Sequence, residues 1–242
     1  MATYLISDLH LDESRPNITR AFFDFLKGPA AGAEALHILG DFFEVWIGDD
    51  DDAPLIEEVA RQLRTYSDSG PALYLMHGNR DFLMGEDFAR RCGATLLPDP
   101  SLVELAGHPV LLMHGDSLCT RDQEYMAFRQ QARNPLWQQG LLAKSLEERR
   151  QIAAQIRATS KSMNSLKAED IMDVTPEEVV KVMESHNTQT LIHGHTHRPD
   201  RHALTANGQA AERIVLGDWG ALAWCTRADE NGLSLEQWPI EP

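Results

Sequence analysis

Residues 191–199 read LIHGHTHRP, and His193, His195 and His197 stand at alternate positions directly after an apolar run. Imidazole is the commonest side-chain metal ligand, and residues at i and i+2 of an extended segment project to the same side. Four further segments close an apolar run on metal-capable residues: SDLH (7–10), LGDFFE (39–44), HGNRD (77–81) and MHGDS (113–117). One such ending is ordinary loop chemistry. Five, rich in Asp, Asn and His and four of them with a neighbouring Gly, point to one shared site, because glycine permits tight turns and close backbone approach.

Asp8 and His10 could chelate one cation, and Asp41 could bridge two. Asn79 and His114 supply neutral ligands to a second, while His195 and His197 could divide between the pair. Imidazole, carboxylate and amide without thiolate suit Mn²⁺, Fe²⁺ or Zn²⁺ better than a structural cysteine–zinc site or an all-oxygen Ca²⁺ site. Ions about 3.5–4 Å apart can activate water and stabilise both oxygens of an in-line displacement at phosphorus.

The elements that must position these residues alternate. Residues 3–8, 35–41, 71–79 and 108–116 read as buried strands. Helical patterning covers 17–27, 53–70 and about 82–92. TLLP (95–98) and SLVELAG (101–107) precede the fourth strand. From 121 to 185 the pattern is helical and polar, and TLIHGH, RIVLGDW, ALAWCTRA and LSLEQWPI then resume the strands. This alternation predicts an α/β fold, with the site outside the carboxyl ends of the strands. The 121–185 block interrupts the strand series and reads as a helical cap inserted in a single domain spanning 1–242.

The chain has 242 residues, a size suited to one domain. No run of eighteen apolar residues occurs, so no transmembrane helix is expected. MATYLISDLHLDE has neither a basic region nor a cleavage pattern, so no signal peptide is expected. Cys92, Cys119 and Cys225 are odd in number and widely spaced, which predicts no disulfide framework and a reducing cytoplasm. A net charge of −15 argues against nucleic acid as a partner. An anionic substrate remains open, because bound divalent cations reverse the local field. DDDD at 49–52 reads as a solvated loop.

The order D-x-H, G-D, G-N, H-G-D, G-H-x-H, from Asp8 to His197, resembles the calcineurin-like metallophosphoesterases. The resemblance implies a β-sandwich flanked by helices, with a dimetal centre at its edge. It assigns Asp8, His10, Asp41 and His197 to one metal and Asp41, Asn79, His114 and His195 to the other. One departure is informative: many members carry His after the Asn, where this chain has Arg80. Arginine cannot deliver a proton near neutral pH, but it can hold phosphoryl oxygens through bidentate bonds. A phosphate monoester, with a second pKa of about 6, leaves without protonation. Arg80 therefore favours pyrophosphate cleavage over simple phosphomonoesters; a proton from His195 or a water is the alternative.

SDLHL, ILGDFFEVWIGDD, HGNRDFLMG, LMHGDSLCTRDQEY and HGHTHRP, with the helical block between them, are similar to the UDP-2,3-diacylglucosamine pyrophosphatases of lipid A biosynthesis. That resemblance implies hydrolysis of UDP-2,3-diacylglucosamine to UMP and 2,3-diacylglucosamine 1-phosphate (lipid X), with water attacking the α-phosphorus. It implies two metal ions, Mn²⁺, and peripheral association with the cytoplasmic face of the inner membrane in Gram-negative bacteria. Asp41, Arg80 and His195 take the catalytic roles. Asn79, Arg80, Asp122, Ser160, Asn164, Lys167 and His195 are the implied substrate contacts, and Tyr125 could offer its ring or hydroxyl near the entrance.

Arg157, Ser160, Asn164 and Lys167 recur at spacings of three, four and three and form one polar stripe, which equally describes a solvated helix face. Trp46, Ile47, Phe82, Leu83, Met84, Trp137, Leu141 and Leu142 could line an acyl channel or simply pack. Lys144, Arg149, Arg150, Arg157, Lys161 and Lys167 could face anionic lipid heads or coat an exposed helix. His77 and His193 precede the glycines of their blocks and could support ligands. His37, His108, His186 and His202 read as surface or packing residues. A monomer is expected. The alternative function is another metallophosphoesterase, acting on a different phosphodiester or pyrophosphate. A non-catalytic module on the same scaffold would be expected to lack some ligands, and none is missing.

Overall fold

The computed structural model describes residues 1–164 and 171–241, with the side chains at 161, 163 and 164 outside that description. Two sheets form its centre. The first contains β1 (Thr3–Ile6), β2 (Ala35–Leu39), β3 (Ala72–Met76), β4 (Thr95–Leu97), β10 (Leu222–Asp229) and β11 (Gly232–Pro239), in the order β11-β10-β1-β2-β3-β4. The second contains β5 (Ser101–Leu105), β6 (His108–Met113), β7 (Thr190–His193), β8 (Asp200–Ala206) and β9 (Gln209–Val215), in the order β5-β6-β7-β9-β8. β1 to β4 run parallel, as do β6, β7 and β9.

Successive residues of the central strands serve different layers, because side chains alternate across a strand. Leu5, Leu39 and Met76 of the first sheet meet Val110, Leu112, Ile192 and Ile214 of the second, so the sheets pack face to face. Ile6, Leu36 and Ile38 point the other way, against α1 (Pro16–Lys27) and α2 (Pro54–Asp68). Leu111, Met113 and Leu191 do the same against α7 (Pro176–Ser185), through its Val179 and Met183. Burial on both faces is why these strands read as continuous apolar runs. The helices show the complementary pattern: α1 buries Ile18, Phe22, Phe25 and Leu26, one 3.6-period stripe begun by Pro16 at its first turn.

The observed layout is an α/β sandwich flanked by helices, as the resemblance implies. Two elements differ from the sequence reading. The short helix expected over 82–92 is α3 (Glu86–Cys92), because Asp81 to Gly85 are consumed in a turn. β8 was not expected: it is a largely exposed edge strand, DRHALTA, without the apolar density of the others. Between β6 and β7 lie α4 (Gln123–Ala132), α5 (Pro135–Leu142), α6 (Leu146–Asn164) and α7. The last belongs to the layer covering the second sheet.

Candidate active site

The parallel strands end together at one edge of the sandwich. β1 delivers Asp8 and His10, β2 Asp41, β3 Asn79, β6 His114, and β7 His195 and His197. Backbone bonds continue past the strand ends, from Asp8 N to Gly40 O (3.1 Å) and from His10 N to Asp41 O (3.0 Å), which locks the first two ligand loops together. Arg15 staples the same region by donating to the carbonyls of Leu9, His10 and Trp219.

Five of these seven residues, Asp8, His10, Asp41, His195 and His197, have positive φ between 48° and 69°. A left-handed backbone costs a non-glycine residue about 1–2 kcal/mol, and such strain persists where its surroundings over-determine it. Here the surroundings are glycines that leave no room for a Cβ. One added at Gly78 would stand 2.1 Å from Asp41 Oδ1, and one at Gly194 2.2 Å from Asp8 Oδ2.

Two groups of ligand atoms result: Asp8, His10 and His197, and Asp41, His114 and His195. In the first, His10 Nε2 and His197 Nε2 are 3.3 Å apart, and Asp8 Oδ1 lies 3.4 Å from His197 Nε2 and 4.0 Å from His10 Nε2. Asp8 Oδ2 accepts from Ser7 Oγ (2.6 Å) and His195 N (2.9 Å), whereas the buried Oδ1 has no hydrogen-bond partner among the described residues. In the second, Asn79 Oδ1 stands 3.0 Å from His114 Nε2 and 2.8 Å from His195 Nδ1. Asp41 joins the groups, its Oδ2 3.9 Å from His10 Nε2 and its Oδ1 3.6 Å from His114 Nε2. The orphaned Asp8 Oδ1 beside the facing ring nitrogens of His10 and His197 fits a divalent cation in the first group, and Asp41, Asn79, His114 and His195 offer a second donor set, with Asp41 between the two.

The electrostatics ask for the same positive charge. Burial penalises the Asp8 carboxylate, yet the His197 ring beside Oδ1 and the nearby imidazoles of His114 and His10 hold it below the ordinary range. Burial also disfavours charge on His114, but the Asp41 and Asp8 carboxylates push it up to about 9. His195, penalised by burial and then by His114, is pushed down to about 4.

Orientation is set around the ligands. His114 Nδ1 lies 2.9 Å from Leu39 O, a bond that puts a proton on Nδ1 and turns Nε2 towards the second ligand group. His193 is a supporting residue: Nδ1 meets Gly194 O at 2.8 Å, Nε2 accepts from Arg213, and burial pushes its pKa down to about 3. His77 meets Met84 O at 2.6 Å. Three carboxylates inside the motifs escaped the sequence reading. Asp81 accepts from Gly78 N (2.6 Å) and Phe42 N (2.8 Å) and so clasps two ligand loops. Asp116 accepts from Tyr125 Oη (2.5 Å) and Arg129 Nε (2.9 Å). Glu44 Oε2 stands 3.0 Å from His10 Nδ1. Their only advance signal was an acid beside a ligand with no ligand role of its own.

Beside the candidate ligands a cavity of about 370 Å³ lies between the 44–47 and 79–83 loops and helices α4 to α6. Asn79 and Arg80 line it next to the candidate ligands, and Trp46, Ile47, Phe82, Leu83 and Leu141 form part of its walls. Phe128, Ile152, Ala153 and Ile156, unexpected from the sequence, complete them. Of the other apolar candidates, Met84 is core, Trp137 packs on Phe82, and Leu142 is 40% exposed. Arg80 sits at the junction: its N–H donates to Asp41 Oδ1 (2.8 Å), and its Nε lies 3.7 Å from Asp41 Oδ2.

The remaining expected contacts are distributed unevenly. Ser160 and Arg157 line the cavity, and Arg157 is paired with Glu44. Tyr125 lines it with its ring, 5.8 Å from that of His195, while its hydroxyl is committed to Asp116. Asp122 accepts from Tyr125 N (3.0 Å) and caps α4, a use that its sequence position did not disclose. The side chain of Asn164, and Lys167 altogether, lie outside the described residues. The DDDD run is solvated at Asp50 and Asp52, as expected, but its carboxylates are also engaged. Asp49 accepts from Gly85 N and Phe88 N, Asp50 pairs with Arg149, and Asp51 and Asp52 pair with Arg150. Those two arginines and Arg157 are thus engaged with acidic partners, and no longer form a free basic face.

The calcineurin-like phosphoesterase profile matches residues 1–199, and the chain belongs to that family. Its curated relatives carry a narrower name. A UDP-2,3-diacylglucosamine hydrolase of Cellvibrio japonicus is 59% identical over 99% of this chain and 100% of its own length. One of Marinobacter nauticus is 59% identical over 96% and 95%, and one of Pseudomonas aeruginosa 54% identical over 99% and 100%.

Proposed function

We propose that the chain is a two-metal hydrolase that cleaves the pyrophosphate of UDP-2,3-diacylglucosamine to UMP and 2,3-diacylglucosamine 1-phosphate, a step of lipid A biosynthesis. One observation carries this reading: Asn79 and Arg80 border the candidate metal ligands and also line the apolar cavity. The site therefore suits a phosphoryl group attached to long apolar chains. A small phosphomonoester would leave the cavity unused.

In this reading Asp8, His10, Asp41 and His197 hold one ion, and Asp41, Asn79, His114 and His195 the other. A pair of divalent cations, Mn²⁺ by resemblance, supplies Lewis-acid stabilisation of charge developing on the phosphoryl oxygens. Arg80 binds those oxygens and offers no proton, in keeping with a sugar phosphate that departs without one. His195, kept neutral by burial in the ion-free site, has Nδ1 beside Asn79 Oδ1; together they orient the substrate phosphates. The walls around Trp46, Phe82 and Leu141 seat the acyl chains and exclude water. Helices α4 to α6 act as a cap, with Ser160 and, by resemblance, Asp122, Asn164 and Lys167 serving the rest of the substrate. α5 carries Leu136, 77% exposed, and Leu142, which with Lys144 would face the inner membrane from the cytoplasmic side in peripheral contact. Among the described residues no helix is long and apolar enough to cross a membrane.

The test is product analysis by mass spectrometry, with UDP-2,3-diacylglucosamine run beside UDP-glucosamine and nitrophenyl phosphate. UMP and the diacylated sugar phosphate should form from the first, at least a hundredfold faster than any product from the others. Turnover of nitrophenyl phosphate alone would favour a different phosphoesterase. In ¹⁸O-water under single-turnover conditions the label should enter UMP. Label in the diacylated sugar phosphate would place attack at the β-phosphorus.

A further inference from the structure

The two ring nitrogens of His10 face different regions of the molecule. Nε2 looks into the first ligand group, 3.3 Å from His197 Nε2. Nδ1 looks outward and meets Glu44 Oε2 at 3.0 Å, within ion-pair contact although not aligned as a hydrogen bond. The second oxygen of the same carboxylate, Oε1, accepts from Arg157 Nη2 of α6. Glu44 thus holds a candidate metal ligand with one oxygen and an inserted helix with the other. Both Glu44 and Arg157 are 27% exposed, so the pair is shielded from bulk water on most sides.

We propose that Glu44 is a positioning residue that holds His10 with its proton on Nδ1 and its lone pair on Nε2, and that Arg157 extends this control to α6, so that metal binding and seating of α6 are linked. The inference rests on the reading that Asp8, His10 and His197 hold a cation. A cation takes the lone pair of one ring nitrogen, so the proton must sit on the other. A carboxylate beside that proton stabilises the required tautomer and raises the basicity of the ligand. His114 shows the contrasting solution, since a backbone carbonyl fixes it from within the sheet. His10 depends instead on the Glu44 side chain, and Arg157 restrains that side chain. By linkage, whatever favours His10 as a ligand favours α6 in its seat, by the same factor in both directions. Arg149 and Arg150 fasten α6 to Asp50, Asp51 and Asp52, attachments that touch none of the candidate ligands. They provide the internal control: while the Arg157–Glu44 pair keeps α6 in its seat, loss of one of them leaves the contact to His10 in place.

The experiment titrates the full, metal-stripped chain with Mn²⁺, following free ion by electron paramagnetic resonance, for the wild type, Glu44→Leu, Glu44→Gln, Arg157→Met and Arg150→Met. Loss of such an outer partner typically costs about 10–100-fold in metal affinity. One of the two dissociation constants should rise by that factor in Glu44→Leu and by less in Glu44→Gln, which keeps an acceptor. Arg157→Met should raise the same constant about three- to tenfold, and the Glu44→Leu/Arg157→Met pair should bind no worse than Glu44→Leu. Arg150→Met should stay within twofold. Hydrogen exchange of amides 150–160 should slow on Mn²⁺ addition in the wild type, and lose that response in Glu44→Leu and Arg157→Met. A wild-type chain that binds no divalent ion overturns the metal reading itself. A wild type that binds two ions, with Glu44→Leu unchanged, overturns the positioning role alone. Unchanged binding in Arg157→Met, or equal weakening in Arg150→Met, overturns the link to α6.

Discussion

Asp8, His10, Asp41, His195 and His197 sit on left-handed backbone at the ends of strands, whereas α6 reaches the same site through long arginine side chains. The ligand loops lean on groups that cannot move far: sheet backbone, glycines with no room for a Cβ, and the buried clasp of Asp81. α6 meets loop 44–52 through Arg149, Arg150 and Arg157, each facing a carboxylate. Strain of about 1–2 kcal/mol per ligand is tolerable only where packing over-determines the geometry. Ion pairs with a solvated partner are worth less and can be screened by salt. In the proposed reading the contrast matches two tasks, a reaction centre that must keep its geometry and a covering that must admit a long apolar substrate.

The largest effect should come from the rigid side. Asp41→Ala removes the carboxylate between the two groups, and turnover should fall by at least about a thousandfold, with bound Mn²⁺ dropping from two ions to one or none. Near-ultraviolet circular dichroism should stay native, because Asp41 packs at the sheet edge and not in the apolar layers. Metal content and turnover are measured on the same sample. Full activity with fewer than two ions would end the two-metal reading.

Arg80 lies where the two regions meet, and its effect should be the next in size. Arg80→Lys keeps the charge and loses the planar fork, so kcat should fall about a hundredfold while KM moves by less than threefold. If Arg80→His instead raised turnover of an alkyl phosphate ester, the site would be short of a proton donor. An unchanged kcat on the UDP substrate would remove Arg80 from the phosphoryl group.

The same contrast explains what the sequence disclosed. Strand ends carrying Asp8, Asp41, Asn79, His114 and His195 were legible because rare residue types follow apolar runs that are buried on both faces. β8 was not, since its residues are mostly exposed and, among the described residues, it pairs only with β9. The signal available was Asn207-Gly208, both at positive φ, the two-residue turn that favours a hairpin. In α6 the polar composition masked Ile152 and Ile156, whose spacing of four places them together on the cavity wall. The role of Glu44 was out of reach, because its partners lie 34 residues upstream and 113 residues downstream, and only tertiary structure joins them.

Loosening the attached side should cost less activity than either change at the centre. Arg149 donates to Ile47 O (2.7 Å) and to both oxygens of Asp50, with its own side chain 4% exposed. Arg149→Met should raise KM for the diacylated substrate several-fold and keep kcat within twofold. It should also speed proteolysis within α5 and α6 while leaving the melting of the sandwich unchanged. In the wild type, raising salt should move KM in the same direction, as screening weakens the Arg150 pairs. A variant that lost kcat and KM together would mean that α6 shapes the reaction centre as well as the covering.

The smallest effect on activity should come from His37, in the middle of β2 and away from both regions. The ring is 4% exposed and stacks on Tyr74 with centroids 4.6 Å apart, and its Nδ1 has no hydrogen-bond partner among the described residues. Burial pushes its pKa down to about 4, from about 6.5 when unfolded. Below pH 6.5 the unfolded chain takes up a proton that the folded ring refuses. The stabilising term is therefore complete above that pH and is lost as pH falls towards 4, to a total on the order of 3 kcal/mol. His37→Phe keeps the stacked ring and removes the titration. Turnover at pH 7 should be unchanged. The urea midpoint of the metal-stripped variant should fall less steeply than that of the wild type between pH 6.5 and 4, and the ligand histidines, common to both proteins, cancel from the difference. Parallel acid limbs would show that His37 takes its proton without opening the sheet.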